Sequence, residues 1–243
     1  MTANSQLISV KTFSGVVKRG LQPQRLQRRN NFLSWETLDG DFSKRLFDVL
    51  FSLSVLILLS PLYLLVALLI TISSPGPIFY VQQRVGKDYK IFNCLKFRTM
   101  VNNADEMLAD IISNHPQMRQ EFEENFKLKH DPRVTAIGRF LRLTSLDEFP
   151  QFWNVLRGDM SVVGPRPLVP EELFKYGHHI DKVLTIRPGI TGLWQVSGRN
   201  DIPYERRVQI DVYYALCRNW LLDLWVMVKT IGVVVFPKDN GAY

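Results

Sequence analysis

The chain has 243 residues, 46% apolar and 22% charged, with a net charge of +7. That length suits one main domain plus a membrane segment, and two cysteines, Cys94 and Cys217, at no metal-binding spacing point to unpaired thiols in a reducing compartment. The basic excess comes with no aromatic RNA-binding signature and no DNA-reading motif, so nucleic acid is set aside in favour of anionic lipid headgroups and a phosphorylated substrate.

Residues 1–42 read as a poorly ordered basic arm, with an interfacial segment around Phe32–Trp35. Residues 43–74 follow as a membrane helix. No charged side chain lies between Asp48 and Arg84, and Phe47–Ile72 is almost wholly apolar. At about 1.5 Å per residue the run is long enough for a hydrocarbon core of roughly 30 Å. It starts too late and lacks the small-residue cleavage site for a signal peptide. Both flanks are basic, with Lys44 and Arg45 upstream and Arg84, Lys87, Lys96 and Arg98 downstream, so neither end favours translocation. Pro61 kinks the helix, and Ser60 can bond a backbone carbonyl that the kink frees. A re-entrant helix is expected, with a kinked spanning helix as the alternative. Ser73-Ser74-Pro75-Gly76-Pro77 then ends it.

Residues 75–243 read as a cytosolic domain of α/β class, mostly helical with short strands. Ile78–Val81 and Tyr89–Phe97 look like strands joined by a turn near Gly86-Lys87-Asp88. Asn102–Lys129 is helix-prone, and Asp131-Pro132 breaks it. Ile137–Leu143 is basic and amphipathic. Leu146, Phe149, Phe152, Trp153 and Leu156 recur at helical spacing, with Gly158 as a cap. Gly164-Pro165-Arg166-Pro167 is a stiff loop, and Pro188–Gly198 a Gly-rich β-like segment. Tyr204–Leu216 and Leu221–Phe236 are helical. The last, preceded by Trp220, carries Trp225, Val228, Ile231 and Val235, which fits an amphipathic helix at a membrane interface or an ordinary core helix. His115, His130, His178 and His179 show no ligand pattern.

The densest chemistry is Arg142-Leu143-Thr144-Ser145-Leu146-Asp147-Glu148. Ser145 and Glu148 fit a capping box, which would make Glu148 a structural residue. The same geometry allows another reading. A helix N-terminus attracts phosphate, and two carboxylates there, Asp147 and Glu148, would repel it unless a cation intervened. Mg²⁺ takes one or two carboxylates together with substrate phosphate oxygens. Arg139, Arg142, Arg166, Arg187 and Arg199 stand in loop or motif settings, and the planar guanidinium suits phosphate, so the cluster points to a diphosphate.

Several ordered motifs resemble one family. They are Lys44-Arg45-Leu46-Phe47-Asp48, Ser60-Pro61, Lys96-Phe97-Arg98-Thr99-Met100, Ser145-Leu146-Asp147-Glu148-Phe149-Pro150-Gln151 and Asn154-Val155-Leu156-Arg157-Gly158-Asp159-Met160-Ser161, followed by Val163-Gly164-Pro165-Arg166-Pro167, Arg187-Pro188-Gly189-Ile190-Thr191-Gly192 and Asp211-Val212-Tyr213-Tyr214. From about Ser43 to Lys238 the chain resembles the bacterial sugar transferases, monotopic polyprenyl-phosphate phosphoglycosyl transferases. Gly192–Asp201 resembles the short exopolysaccharide-initiating forms.

The resemblance implies transfer of a hexose-1-phosphate from a UDP-sugar, galactose or glucose, to undecaprenyl phosphate, with release of UMP. It implies Asp147 as nucleophile, Glu148 as its partner, both at Mg²⁺, and a substrate site drawn from Lys96, Arg98, Arg142, Arg166, Arg187, Gln195, Arg199 and Asp211. It also implies a place in the bacterial inner membrane with the domain on the cytoplasmic face. The sequence leaves open a membrane-anchored regulatory or scaffold protein that binds a nucleotide sugar without turnover. It also leaves open a homo-oligomer.

Overall fold

The structure is a computed structural model and describes residues 35–125, 128–198 and 202–235. The chain divides into two compact units, Met1–Gly40 and Asp41–Tyr243. The expected basic arm lies almost wholly outside the described residues, except that the first helix already begins at Trp35.

Helix α1 (Trp35–Leu58) and helix α2 (Ser60–Ser73) are separated at Leu59. Among the described residues no single helix is long and apolar enough to cross a membrane, but Asp41–Leu58 and Ser60–Ser73, bent by 62°, have the combined length and composition. The Ser60 hydroxyl donates to the Ile57 carbonyl at 2.8 Å. Pro61 lies in the first turn of α2, where its missing N–H costs nothing.

Both ends of the pair are tied to the rest of the second unit. Upstream, Lys44 Nζ pairs with Asp223 at 2.6 Å. Arg45 donates to the Val155 and Leu156 carbonyls at 2.6 and 2.9 Å. Buried Asp48 accepts from the Val162 N–H at 3.1 Å. Downstream, Arg98 donates to the Ser74 and Pro75 carbonyls at 2.6 and 2.9 Å. A Cβ on Gly76 would meet Arg98 Nη1 at 2.2 Å, and Gly76 has φ of 122°, so glycine is required beside this clamp.

Strands β1 (Phe79–Val85) and β2 (Ile91–Phe97) form an antiparallel hairpin, with Phe79 opposite Phe97 and Tyr80 opposite Lys96. The helix-prone stretch after it is two helices, α3 (Ala104–Asn114) and α4 (Pro116–Asn125), because Pro116 starts a new one. Helix α5 (Ala136–Leu143) is capped by Thr135, whose hydroxyl accepts from the Gly138 N–H.

The expected continuous helix from Leu146 is divided. Leu146–Glu148 is a 3₁₀ turn, and helix α6 (Gln151–Arg157) starts after Pro150, which has no N–H to continue the ladder. Strands β3 (Ser161–Val163) and β4 (Gly189–Thr191) pair in parallel, and helices α7 (Leu173–Tyr176) and α8 (Ile180–Val183) lie in their crossover. Only those three residues of the Gly-rich segment are strand. Helices α9 (Tyr204–Cys217) and α10 (Trp220–Val235) complete the described chain. The result is a mostly helical α/β fold with short strands.

The main core gathers Phe92, Phe152, Val155, Met160, Val163, Tyr214 and Val226, with Val55 and Leu56 of α1 packed on it. A second core joins Val66 and Ile70 of α2 to Phe97 and Leu141. Each large aliphatic so buried contributes about 1.5–3 kcal/mol. Helix α10 buries Val226 completely, while Leu221, Leu224, Trp225, Val228 and Ile231 are exposed, a one-sided apolar face suited to an interface. The outer face of α2 is also apolar, with Leu64 and Ile72 each 73% exposed.

Candidate active site

Ser145 has φ of 58°, a left-handed conformation that a non-glycine residue rarely adopts. It turns the chain sharply out of α5, so that Asp147 and Glu148 lie on the short 3₁₀ turn before α6. The capping box expected from Ser145 and Glu148 is not formed: the Ser145 side chain does not cap the turn. Glu148 is drawn instead to Lys96 on β2, at 2.6 Å and half-buried.

The hairpin and α6 are locked together behind this turn. Asn154, fully buried, accepts from the Leu95 N–H at 3.0 Å and donates to the Asn93 carbonyl at 2.7 Å. Lys96 is thereby held opposite the turn.

Lys96, Glu148, Arg166 and Gln195, all named from sequence, line one cleft, together with Arg84 and Gln151. Arg84 donates to the Pro167 carbonyl at 2.9 Å, which aims the Gly-Pro-Arg-Pro loop at the cleft. Burial pushes the Arg84 guanidinium down, and Arg166 adds to this. Burial also acts against the charge on Arg166, but Glu148 and Glu172 more than offset it, and its pKa is raised. Arg84 Nε and Gln195 Oε1 are buried with no hydrogen-bond partner among the described residues. Arg84 Nε–H is a donor suited to an anionic oxygen, and Gln195 Oε1 an acceptor suited to a ligand hydroxyl, so the cationic cleft fits a ligand carrying both.

Burial pushes the Asp147 carboxyl up to about 6; Lys96 pulls it down, Glu148 pushes it up and Arg142 pulls it down. Arg142 donates to the Thr99 hydroxyl at 3.0 Å, which fixes it beside Asp147. Among the described residues no group of three or more His, Cys, Asp or Glu could hold a metal. Of the paired carboxylates, that of Asp147 is desolvated by burial and Glu148 Oε1 is already held by Lys96 at 2.6 Å.

Other sequence-named residues lie elsewhere. Arg98 holds the exit of α2. Arg187 lies at the far end of α6, donating to the Gly158 carbonyl at 2.9 Å. Arg139 is exposed on α5. Arg199 lies outside the described residues. Ser60 and Pro61 sit at the helix break.

Asp211 is fully buried behind the cleft and accepts from the Tyr176 hydroxyl at 2.8 Å. Its Oδ1 and the indole N–H of Trp194 are buried without a well-formed hydrogen bond, so Trp194 exerts only a weak pull. Burial pushes Asp211 up to about 7, against Tyr176 and Arg166. The folded chain therefore binds this proton more tightly than the unfolded chain. The stabilisation is complete below the ordinary value of 3.8 and is lost as pH rises toward about 7. Asp211→Asn keeps an acceptor for Tyr176 and removes the titration. Between about pH 5 and pH 8 its melting midpoint should fall by a few °C less than that of the unmodified protein. Parallel melting curves across that range would remove this role.

Sequence reading missed Arg84 and Gln151. Arg84 was legible in part: opposed residues share a face, and the pairing sets Gln82 against Cys94 two positions from Arg84 and Lys96. Gln151, 2% exposed, gave no signal beyond its place after Pro150.

A model of the family described as "Bacterial sugar transferase" matches residues 40–237. The chain belongs to the bacterial sugar transferase family. It is 50% identical over 204 residues to the undecaprenyl-phosphate galactose phosphotransferase of Salmonella typhimurium, covering 83% of this chain and 42% of that protein. It is 48% identical over 203 residues to the exopolysaccharide production protein ExoY of Sinorhizobium fredii, covering 83% of this chain and 89% of that one. It is 37% identical over 211 residues to the UDP-glucose:undecaprenyl-phosphate glucose-1-phosphate transferase of Escherichia coli, covering 82% of this chain and 41% of that protein. The chain thus spans less than half of the first and third of these relatives and most of the second.

Proposed function

We propose that the chain is a phosphoglycosyl transferase that moves a hexose-1-phosphate from a UDP-sugar to undecaprenyl phosphate. The observation that carries this reading is the turn after the strained Ser145, which puts Glu148 in a cleft with Arg84, Lys96 and Arg166 that holds unsatisfied polar atoms, and sets Asp147, desolvated by burial, within the influence of Lys96, Glu148 and Arg142. The names of the relatives support the lipid and nucleotide-sugar substrates, with galactose or glucose as the sugar.

The ionised Asp147 carboxylate attacks the β-phosphorus of the UDP-sugar. The bond from that phosphorus to the bridging oxygen breaks, UMP leaves, and a sugar-phosphoryl aspartate remains. The phosphate oxygen of undecaprenyl phosphate then attacks the same phosphorus and regenerates the carboxylate. Two displacements replace one difficult step. Lys96, Arg84 and Arg166 hold and neutralise the phosphate oxygens, and Arg142 keeps Asp147 ionised. Mg²⁺ held by Asp147 and Glu148 would supply further neutralisation of the diphosphate.

In this reading residues 43–74 enter the inner membrane and return, and residues 75–243 work on its cytoplasmic face. The ties from Lys44, Arg45 and Arg98 support this, since they hold both ends of the bent pair to the same unit. The reaction would begin exopolysaccharide, capsule or O-antigen synthesis on the lipid carrier.

Membranes carrying the protein should release UMP from UDP-galactose or UDP-glucose when undecaprenyl phosphate is present. Release of UDP would identify a direct glycosyl transfer instead, and binding without release a non-catalytic protein. Excess EDTA should lower turnover by about 100-fold or more, with recovery on adding Mg²⁺. Full turnover after exhaustive chelation would leave the arginines and Lys96 as the only neutralising charges.

A further inference from the structure

We propose that Tyr63 is a positioning residue for the Asp147–Glu148 turn, which makes the second limb of the bent helix pair part of the reaction machinery. The catalytic half of this inference rests on the reading of Asp147 as nucleophile.

Helix α2 has four side chains with hydroxyls. Ser60, Thr71 and Ser73 each donate to a carbonyl of the bent pair itself, Ile57, Ala67 and Ile70. Tyr63 alone reaches outside, and its hydroxyl donates to the Phe149 carbonyl at 2.6 Å. Phe149 directly follows Glu148. The Tyr63 ring is seated between Phe97, with centroids 5.5 Å apart, and Phe149, 6.2 Å apart. Phe97 in turn adjoins Lys96, the partner of Glu148. One side chain thus touches both the turn and the strand that opposes it.

The turn needs such a support. Its own backbone bonds are long: Glu148 N–H to the Ser145 carbonyl at 3.3 Å, and Phe149 N–H to Leu146 at 3.2 Å. It also begins at the strained Ser145. The Phe149 carbonyl accepts a second bond from the Phe152 N–H at 3.1 Å, the first of α6. Tyr63 therefore clamps the joint between turn and helix. In these apolar surroundings an unmade hydroxyl bond is costly, so the bond resists exchange. A shift of α2 would move the Phe149 carbonyl, and with it the spacing of Asp147 and Glu148 from Lys96 and Arg166.

Tyr63→Phe removes the donor and keeps the ring. Amides over residues 145–152 should exchange with deuterium faster in this variant, while membrane association stays as in the unmodified protein and melting falls by no more than a few °C. Turnover should fall about 10- to 100-fold, because a misplaced nucleophile is sensitive to small displacements. KM for the UDP-sugar should stay within about two-fold, as expected when ground-state binding is untouched. Unchanged exchange and unchanged turnover would overturn the proposal. So would a loss of turnover that only follows a loss of membrane-bound protein. If the unmodified protein releases no UMP, the function reading fails, while faster exchange in Tyr63→Phe still establishes the clamp.

Discussion

Asp147→Asn should lose turnover by about 1,000-fold or more while the protein stays folded and membrane-bound. The amide has the size of the carboxylate but lacks the anionic oxygen that attacks phosphorus. Incubation with UDP-sugar and no lipid acceptor should load the unmodified protein with one sugar phosphate, seen as added mass on the intact chain. The variant should carry none. Stability should not suffer. Burial pushes the Asp147 carboxyl up to about 6, so its ionisation opposes folding as pH rises from about 4 through 6. An amide avoids that cost, and at neutral pH the variant should melt at or above the temperature of the unmodified protein. A folded, fully active Asp147→Asn protein would remove the nucleophile from this position. An absent adduct under trapping conditions, with turnover intact, would argue for a single displacement.

How much of this site the sequence carried depends on the residue. The hairpin was legible because β-rich runs flank a Gly-Lys-Asp turn, and its pairing brings Lys96 to the turn. The joint around Asp147 was not. Apolar spacing from Leu146 to Leu156 read as one helix, since periodicity cannot see that Ser145 takes a left-handed conformation or that Pro150 interrupts the ladder. The capping box failed for a related reason: a tertiary partner, Lys96, won the Glu148 carboxylate from the local backbone.

The arginines show the sharper limit. Arg166 lines the cleft, but Arg98 and Arg187 hold the carbonyls of Ser74, Pro75 and Gly158. A guanidinium fork satisfies backbone oxygens as readily as phosphate oxygens, so residue type and motif setting cannot separate the two uses. Tyr63 was invisible for the opposite reason. In an apolar run a single Tyr reads as packing, and its hydroxyl gains meaning only when Phe149 is found beside it.

Straightening the bent helix pair should also cost the enzyme most of its turnover. Pro61→Leu restores an N–H and removes the ring that clashes with the preceding turn. A continuous α1–α2 helix would swing its far end through the 62° bend. Lys44–Asp223, Arg45–Val155 and Arg98–Ser74 are each 2.6 Å contacts, and a hydrogen bond tolerates only ~0.5 Å of stretch. The variant must therefore either keep the bend or release one end. Release at Arg98 would also pull Tyr63 from Phe149, so turnover should fall by about 100-fold or more. Topology reports which end let go. With Cys94 and Cys217 replaced, single cysteines at Ser5 and Ser113 should both resist a membrane-impermeant thiol reagent in intact cells and both react once the membrane is opened. In Pro61→Leu a fraction of molecules should label at Ser5 alone, as a spanning helix requires. Labelling at Ser5 in the unmodified protein would refute the re-entrant reading. A Pro61→Leu protein with unchanged topology and turnover would assign the bend to the ties at Lys44, Arg45 and Arg98, which then hold the two limbs without help from proline.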